Sequence, residues 1–225
     1  MSKPNKKTRA RSPEKKAEQF DRILEMGREM FIKYGTHGFS TRILAQKLGM
    51  TQPNLYNYVS SKRELWIAIR TKYYNEFYKD IRKIIREHKG TIIELLYKFA
   101  EFYLEFAAAD YKRFQIMFVL SAPPSKKIGP LEKEYNPFLT TKFVLDFVQR
   151  AIDAKELVPD GSLELFYSIY SLIYGAAKVE ADLKLRDKIT EPMTGEFYSL
   201  SSEEFRKFIL KELRDRIERN RVQQN

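Results

Sequence analysis

At 225 residues the chain is long enough to bury a sizeable core, as one domain or as a small domain joined to a larger one. It contains no cysteine, which excludes disulfides and thiolate metal sites and accords with a cytoplasmic location. No apolar run approaches the roughly 18 residues that a membrane-spanning helix needs. The charged N-terminus has no apolar stretch of the secretory kind. The net charge of +11 is unevenly spread: residues 1–62 hold 13 Lys and Arg against 5 Asp and Glu, the rest 28 against 25. A local basic surplus attracts polyanions and steers their approach.

In chain order, residues 1–15 are basic and lack apolar periodicity, so they are expected to form a disordered arm. From Lys16 to Tyr34 the apolar residues Phe20, Ile23, Leu24, Met30 and Phe31 recur at three-four spacing, which predicts an amphipathic helix. Gly35 stands where a helix C-terminal glycine belongs. A short helix is expected from Thr41 to Leu48 with Ser40 as N-cap, and Gly49 then breaks the chain. Thr51 caps a third helix, Gln52 to Tyr58, in which Pro53 falls in the first turn, where it displaces no hydrogen bond. Ser61 and Glu64 have the spacing of a capping box opening a long helix to about Glu87. Further helices are predicted near 91–109, 111–120, 138–155, 162–186 and 202–221, with long breaks at 121–137 and 187–201. The fold class is therefore all-α.

Three short helices, the last two joined by a tight glycine turn, meet the geometric requirement of a helix-turn-helix. Leu44, Leu48, Leu55 and Val59 supply the apolar faces that set the angle between the pair, and Ala45 is small where the helices approach.

The stretch from Phe39 to Leu65, with its tail Leu55-Tyr56-X-Tyr58-X-X-Ser61-Lys62-X-X-Leu65, resembles the DNA-binding domain of the tetracycline-repressor (TetR) family. Ile23, Leu24, Phe31, Gly35, Gly38 and Phe39 resemble that family's first helix and turn, so the likeness covers roughly residues 20–70. Two departures are Gly27, where the family usually has alanine, and Val59, where an aromatic is commoner. The resemblance implies a helix-turn-helix domain over residues 16–65 and a helical ligand-binding and dimerisation domain over 66–225. It implies a regulator, chiefly a repressor, that binds a palindromic double-stranded DNA operator as a homodimer and is released by a small hydrophobic or aromatic ligand such as a drug or fatty acyl-CoA.

Roles then follow from chemistry. Arg42 can reach a guanine edge, and Gln52 or Asn54 can pair with adenine. Thr41, Thr51, Tyr56 and Tyr58 offer hydroxyls to phosphates, with Pro53 and Asn57 beside them. The resemblance makes Tyr56 and Lys62 the phosphate contacts to rely on, and Lys62 also stands at a helix N-terminus that favours an anion. The bland alternative is that Tyr56 and Tyr58 only pack the small core. The basic arm suits an adjacent minor groove, or loose attachment by charge.

Beyond residue 70 the resemblance fades. The chain has 16 Phe, 14 Tyr and one Trp, many of them on the later helices. Such stripes usually form core, but they also suit an apolar pocket with polar handles. Candidate ligand-lining residues are Trp66, Tyr73, Phe77, Phe102, Tyr103, Phe106, Met117, Phe118, Phe147 and Tyr174. In the 162–186 helix Phe166, Tyr170, Ile173 and Ala177, and in the 202–221 helix Phe205, Phe208, Ile209, Leu213 and Ile217, read as a dimer face or as cover for the monomer's own core.

No enzyme constellation is found. His37 and His88 are the only histidines, too few for a triad or a metal centre, so neither catalysis nor a cofactor is expected. Two other readings stay open. One is a constitutive, weakly specific architectural DNA binder. The other is a membrane-surface protein using the basic face at 79–89, which reads more simply as a solvated helix face.

Overall fold

A computed structural model describes residues 12–136, 139–186 and 200–222. Its described elements are helical apart from one isolated antiparallel bridge between Leu157 and Arg221. Among the described residues no helix is long and apolar enough to cross a membrane. The chain divides into two compact units, Met1–Tyr74 with Gln115–Tyr135, and Asn75–Phe114 with Asn136–Asn225.

In the first unit, helix α1 spans Pro13–Gly38, with Ser12 as N-cap and Pro13 in its first turn. It starts three residues ahead of the predicted Lys16, because the cap and the proline favour initiation there. The remainder of the expected arm, residues 1–11, lies outside the described residues. Gly35 takes φ 66°, which interrupts the helical backbone at the predicted glycine and leaves one further turn to Gly38.

Helices α2 (Thr41–Lys47) and α3 (Gln52–Tyr56) follow, capped by the Ser40 and Thr51 hydroxyls, which accept from the amides of Ile43 and Asn54. Each such cap contributes about 1 kcal/mol. Gly49, at φ 65°, makes the turn between them. Helix α3 ends two residues short of the predicted Tyr58. Ile23, Leu24, Met30, Phe31, Phe39, Leu44, Ala45, Leu48, Leu55 and Val59 form the buried core of this head. The Phe31 and Phe39 rings stack at 3.9 Å.

Helix α4 runs Lys62–Glu87. Its capping box is only half formed. The Ser61 hydroxyl accepts from the Glu64 amide at 3.0 Å, but the Glu64 carboxylate accepts from the amides of Ser60 and Leu131. Burial explains the difference: Glu64 is 2 % exposed, and a buried carboxylate needs every donor within reach. Lys72 of α4 pairs with Asp21 (3.0 Å) and Glu25 (3.4 Å) of α1. Burial acts to lower the Lys72 pKa, yet its hydrogen bonds and charge pairing with the two carboxylates outweigh that, so the ammonium titrates above its ordinary range.

The predicted 111–120 helix divides into α6 (Tyr111–Phe114) and a π-helical turn, Gln115–Val119. The predicted break at 121–137 holds a further short helix, α7 (Pro130–Lys133).

In the second unit, α5 (Ile92–Ala109) opens with a complete capping box between Thr91 and Glu94. The Glu156 carboxylate also accepts from the Ile92 and Ile93 amides, at 3.1 and 2.9 Å. Helices α8 (Leu139–Asp153), α9 (Ser162–Arg186) and α10 (Ser202–Glu218) complete it. Residues 187–199, most of the second predicted break, lie outside the described residues.

The unit's core joins Ile93, Ala100, Ala151, Leu157, Leu165, Leu213 and Ile217, with Ile169, Leu172 and Ile173 packed against it. Of the two readings left open for the stripes on α9 and α10, five residues take that of cover for the monomer's own core. Phe166, Ala177, Ile209, Leu213 and Ile217 are buried within the unit, because α9 and α10 pack on each other and on α5. The large apolar side chains left open on α9 and α10 are Leu163, Tyr167, Tyr170, Val179, Leu185 and Phe208. Glu180, almost fully buried, is neutralised by Arg206 and Lys184.

Candidate nucleic-acid interface

The head buries one side of α2 and α3 and leaves the other open. Leu44 and Ala45 of α2 and Leu55 of α3 point inward. Arg42, Thr51, Pro53, Tyr56 and Asn57 are exposed, while Thr41, Gln52, Asn54, Tyr58 and Lys62 are half-buried.

Three of the predicted residues are tied together. The Gln52 amide nitrogen donates to the Thr41 hydroxyl at 2.9 Å and approaches the Tyr56 hydroxyl at 3.5 Å, and those two hydroxyls are 3.3 Å apart. Gln52 thus has its amide oriented and its carbonyl oxygen unused in these bonds. That geometry presents an acceptor to a base amino group while the hydroxyls stand ready for phosphate oxygens.

The remaining predicted residues separate by role. Thr51 spends its hydroxyl oxygen on the Asn54 amide at 3.3 Å. Tyr58 stacks on Phe20 of α1, ring centroids 6.2 Å apart, so packing is part of its role. Lys62 donates to the Phe39 carbonyl at 3.3 Å, which holds its ammonium at the first turn of α4. Ile43, 46 % exposed on α2, is an open apolar residue that the sequence reading did not single out. It interrupts no apolar period, so periodicity gave no signal for it.

The predicted ligand-lining residues fall in both units. In the first, Trp66 meets Tyr135 edge-on at 6.1 Å, and Phe118 meets Tyr74 at 5.8 Å. Met117 is fully buried, and Tyr73 faces Arg28 and Glu25 of α1. In the second, Phe77, Phe102 and Phe106 form one cluster, with centroids 5.0–5.2 Å from Phe77 to the other two. Phe114 joins Tyr103 to Tyr174, and Phe147 sits with Phe99 and Phe143.

Sequence reasoning missed a polar group on α4. Arg70 lies among Trp66, Tyr74 and Tyr135, its guanidinium carbon 4.5, 5.1 and 5.6 Å from the three ring centres. The 66–70–74 spacing along one helix face was visible in the sequence. The arrival of Tyr135 was not.

An all-helical chain whose N-terminal head carries two capped helices around a glycine turn, with polar side chains on the open face, defines a helix-turn-helix protein. Residues 23–69 match the family described as bacterial regulatory proteins, tetR family. The chain is 36 % identical over 55 residues to the HTH-type transcriptional regulator Rv1816 of Mycobacterium tuberculosis, a match covering 24 % of each chain. The chain thus spans about a quarter of the length of the curated relatives it matches.

Solved structures extend the likeness of fold to most of the chain. A TetR-family transcription regulator from Shewanella sp. PV-4 superposes with a TM-score of 0.64 at 16 % identity, covering 91 % of this chain and 99 % of that one. FadR from Bacillus subtilis, in complex with stearoyl-CoA, gives 0.63 at 15 %, covering 88 % and 99 %. AibR, in complex with isovaleryl coenzyme A and operator DNA, gives 0.60 at 15 %, covering 87 % and 97 %.

Proposed function

We propose that this chain is a ligand-responsive transcriptional repressor of the cytoplasm. It binds a palindromic operator as a homodimer and releases it when a small hydrophobic or aromatic ligand is bound. Residues 16–65 read the DNA, and residues 66–225 serve ligand binding and dimerisation. The observation that carries the reading is the Thr41–Gln52–Tyr56 hydrogen-bonded group beside exposed Arg42 on the open side of a capped helix pair. Side chains held in advance lose less entropy on binding, and this set combines base-reading and phosphate-holding chemistry.

Arg42, Gln52 and Asn54 discriminate bases, with Thr41, Thr51, Pro53, Tyr56, Asn57, Tyr58 and Lys62 positioning the head on the duplex. The basic surplus of residues 1–62 supplies the electrostatic part of affinity. Dimerisation follows from the open apolar side chains of α9 and α10, notably Tyr167 and Phe208, each 52 % exposed. Two heads are needed because one reads only a few base pairs.

The ligand reading draws on the aromatic clusters and on the acyl-CoA complexes of FadR and AibR. A ligand that prefers one position of α4 shifts the population towards it and takes the heads off half-site spacing. A coupling of about 1–3 kcal/mol weakens DNA binding roughly 5–150-fold.

Selection of DNA sites from a random library with the purified protein tests the reading. A palindromic consensus bound preferentially at rising salt supports it. Affinity that collapses alike for all sequences would instead identify an architectural binder.

A further inference from the structure

Among the described residues, Arg70 is a cation without an anion. Its Nη1 donates to the Tyr135 hydroxyl, and its Nη2 to the Tyr74 hydroxyl (2.8 Å) and the Met117 carbonyl. All three acceptors are neutral. No described carboxylate pairs with it: Glu132 pairs through Oε1 with Arg63, its buried Oε2 making no hydrogen bond among the described residues, and the Glu64 carboxylate accepts from the Ser60 and Leu131 amides. Nor does Tyr135 ionise to compensate. Burial drives its pKa up to about 12 despite the opposing pull of Arg70, so the phenol stays neutral at physiological pH. Arg70 is half-buried; three aromatic faces recover part of the hydration it gives up, but a cation desolvated in this way is normally paired.

Two buried donors in this cage are unspent. Among the described residues Arg70 Nε has no hydrogen-bond partner, and neither has Trp66 Nε1, on a side chain only 1 % exposed. The indole and the guanidinium lie together, 4.5 Å from ring centre to guanidinium carbon. The Met117 carbonyl that fixes the guanidinium belongs to the π-helical turn, a distortion that recurs at functional sites. Tyr74, Tyr135 and Phe118 supply apolar surface around the same point.

We propose that Arg70 and Trp66 receive the carboxylate of the effector, which is an organic monocarboxylic acid with an apolar body. One positive charge matches one negative charge, and two free N–H groups match two carboxylate oxygens. A phosphate monoester presents more charge and more oxygens than this cage can satisfy. The inference rests on the ligand-responsive reading above and names the chemical class of the ligand.

Trp66 is the only tryptophan of the chain, so its fluorescence reports on the cage directly. The full-length protein is titrated at neutral pH with octanoate and cyclohexanecarboxylate, with their primary amides, and with octyl phosphate. At least one acid is expected to shift the Trp66 emission saturably, with its amide and octyl phosphate roughly 10–100-fold weaker. In Arg70→Gln the preference for acid over amide is expected to vanish, while Arg70→Lys retains part of it. Should Arg70→Gln fail to fold, the comparison of acid with amide on the native protein decides alone. Equal response to acid and amide, tighter binding of octyl phosphate, or no response to any probe overturns the proposal. The selected DNA site, tested without acid, reads the other half. DNA binding without a response to acid removes only this inference, whereas acid binding without DNA affinity removes the regulator reading.

Discussion

The carboxylate of Glu64 lies where a side chain on residue 129 would stand, so the two positions fit together only because residue 129 is glycine. The backbone there, φ −84° and ψ 169°, is open to any residue. The requirement is one of space. Gly129→Ala is therefore expected to push Glu64 off the Ser60 and Leu131 amides and to cost about 1–3 kcal/mol in a urea melt. An unchanged midpoint would mean that the carboxylate has room to retreat.

The head offers a test that separates reading from positioning. Arg42→Ala and Gln52→Ala are expected to lose about 1–3 kcal/mol of discrimination at one base pair each, leaving non-specific binding largely intact. Lys62→Ala should weaken all sequences alike and lower the salt slope by about one. Titration of the selected site and a scrambled duplex at several salt concentrations checks both. Equal losses on the two duplexes for Arg42→Ala would exclude a base-reading role.

Gly27 gives a test of packing. A Cβ there would stand 3.1 Å from Ile69 and 3.3 Å from Leu65, so α1 and α4 cross closely at this residue. Alanine gains up to about 1 kcal/mol of helix propensity against that crowding, and the two effects should nearly cancel. Gly27→Val has no such balance, and a loss of about 1–3 kcal/mol is expected. A thermal melt no lower than that of the native protein would contradict the close crossing.

Alkali should loosen the fold. Burial raises the pKa of Tyr135 to about 12, and burial with a 2.8 Å hydrogen bond to Glu218 raises that of Tyr97 further still. An acid whose folded pKa lies above its unfolded value of 10.0 contributes stability that is whole below pH 10 and lost as the pH climbs towards the folded value. The urea midpoint is thus expected to fall above pH 10, and less steeply in Tyr135→Phe. A flat profile to pH 12 would show that neither hydroxyl is held back from ionising.

Charge placed on the open side of the last two helices should separate the subunits. Tyr167→Glu and Phe208→Glu are expected to elute as monomers in size-exclusion chromatography while keeping their helical circular dichroism. A native protein that is already monomeric would refute the proposed dimer.

Residue types that act over a few positions were legible in the sequence. Ser40 and Thr51 cap helices, and Gly35 and Gly49 take left-handed backbone, because those preferences depend on near neighbours alone. The apolar period likewise marked the inward residues of the head. What covers an apolar stripe is another matter. Ile209, Leu213 and Ile217 read equally well as a dimer face, and only the packing of α10 on α9 and α5 assigns them to the monomer's own core. Glu64 with Leu131 and Arg70 with Tyr135 lie 67 and 65 residues apart. No local pattern encodes such a meeting, since it forms only when the folded chain brings a buried charge and a distant segment to the same place.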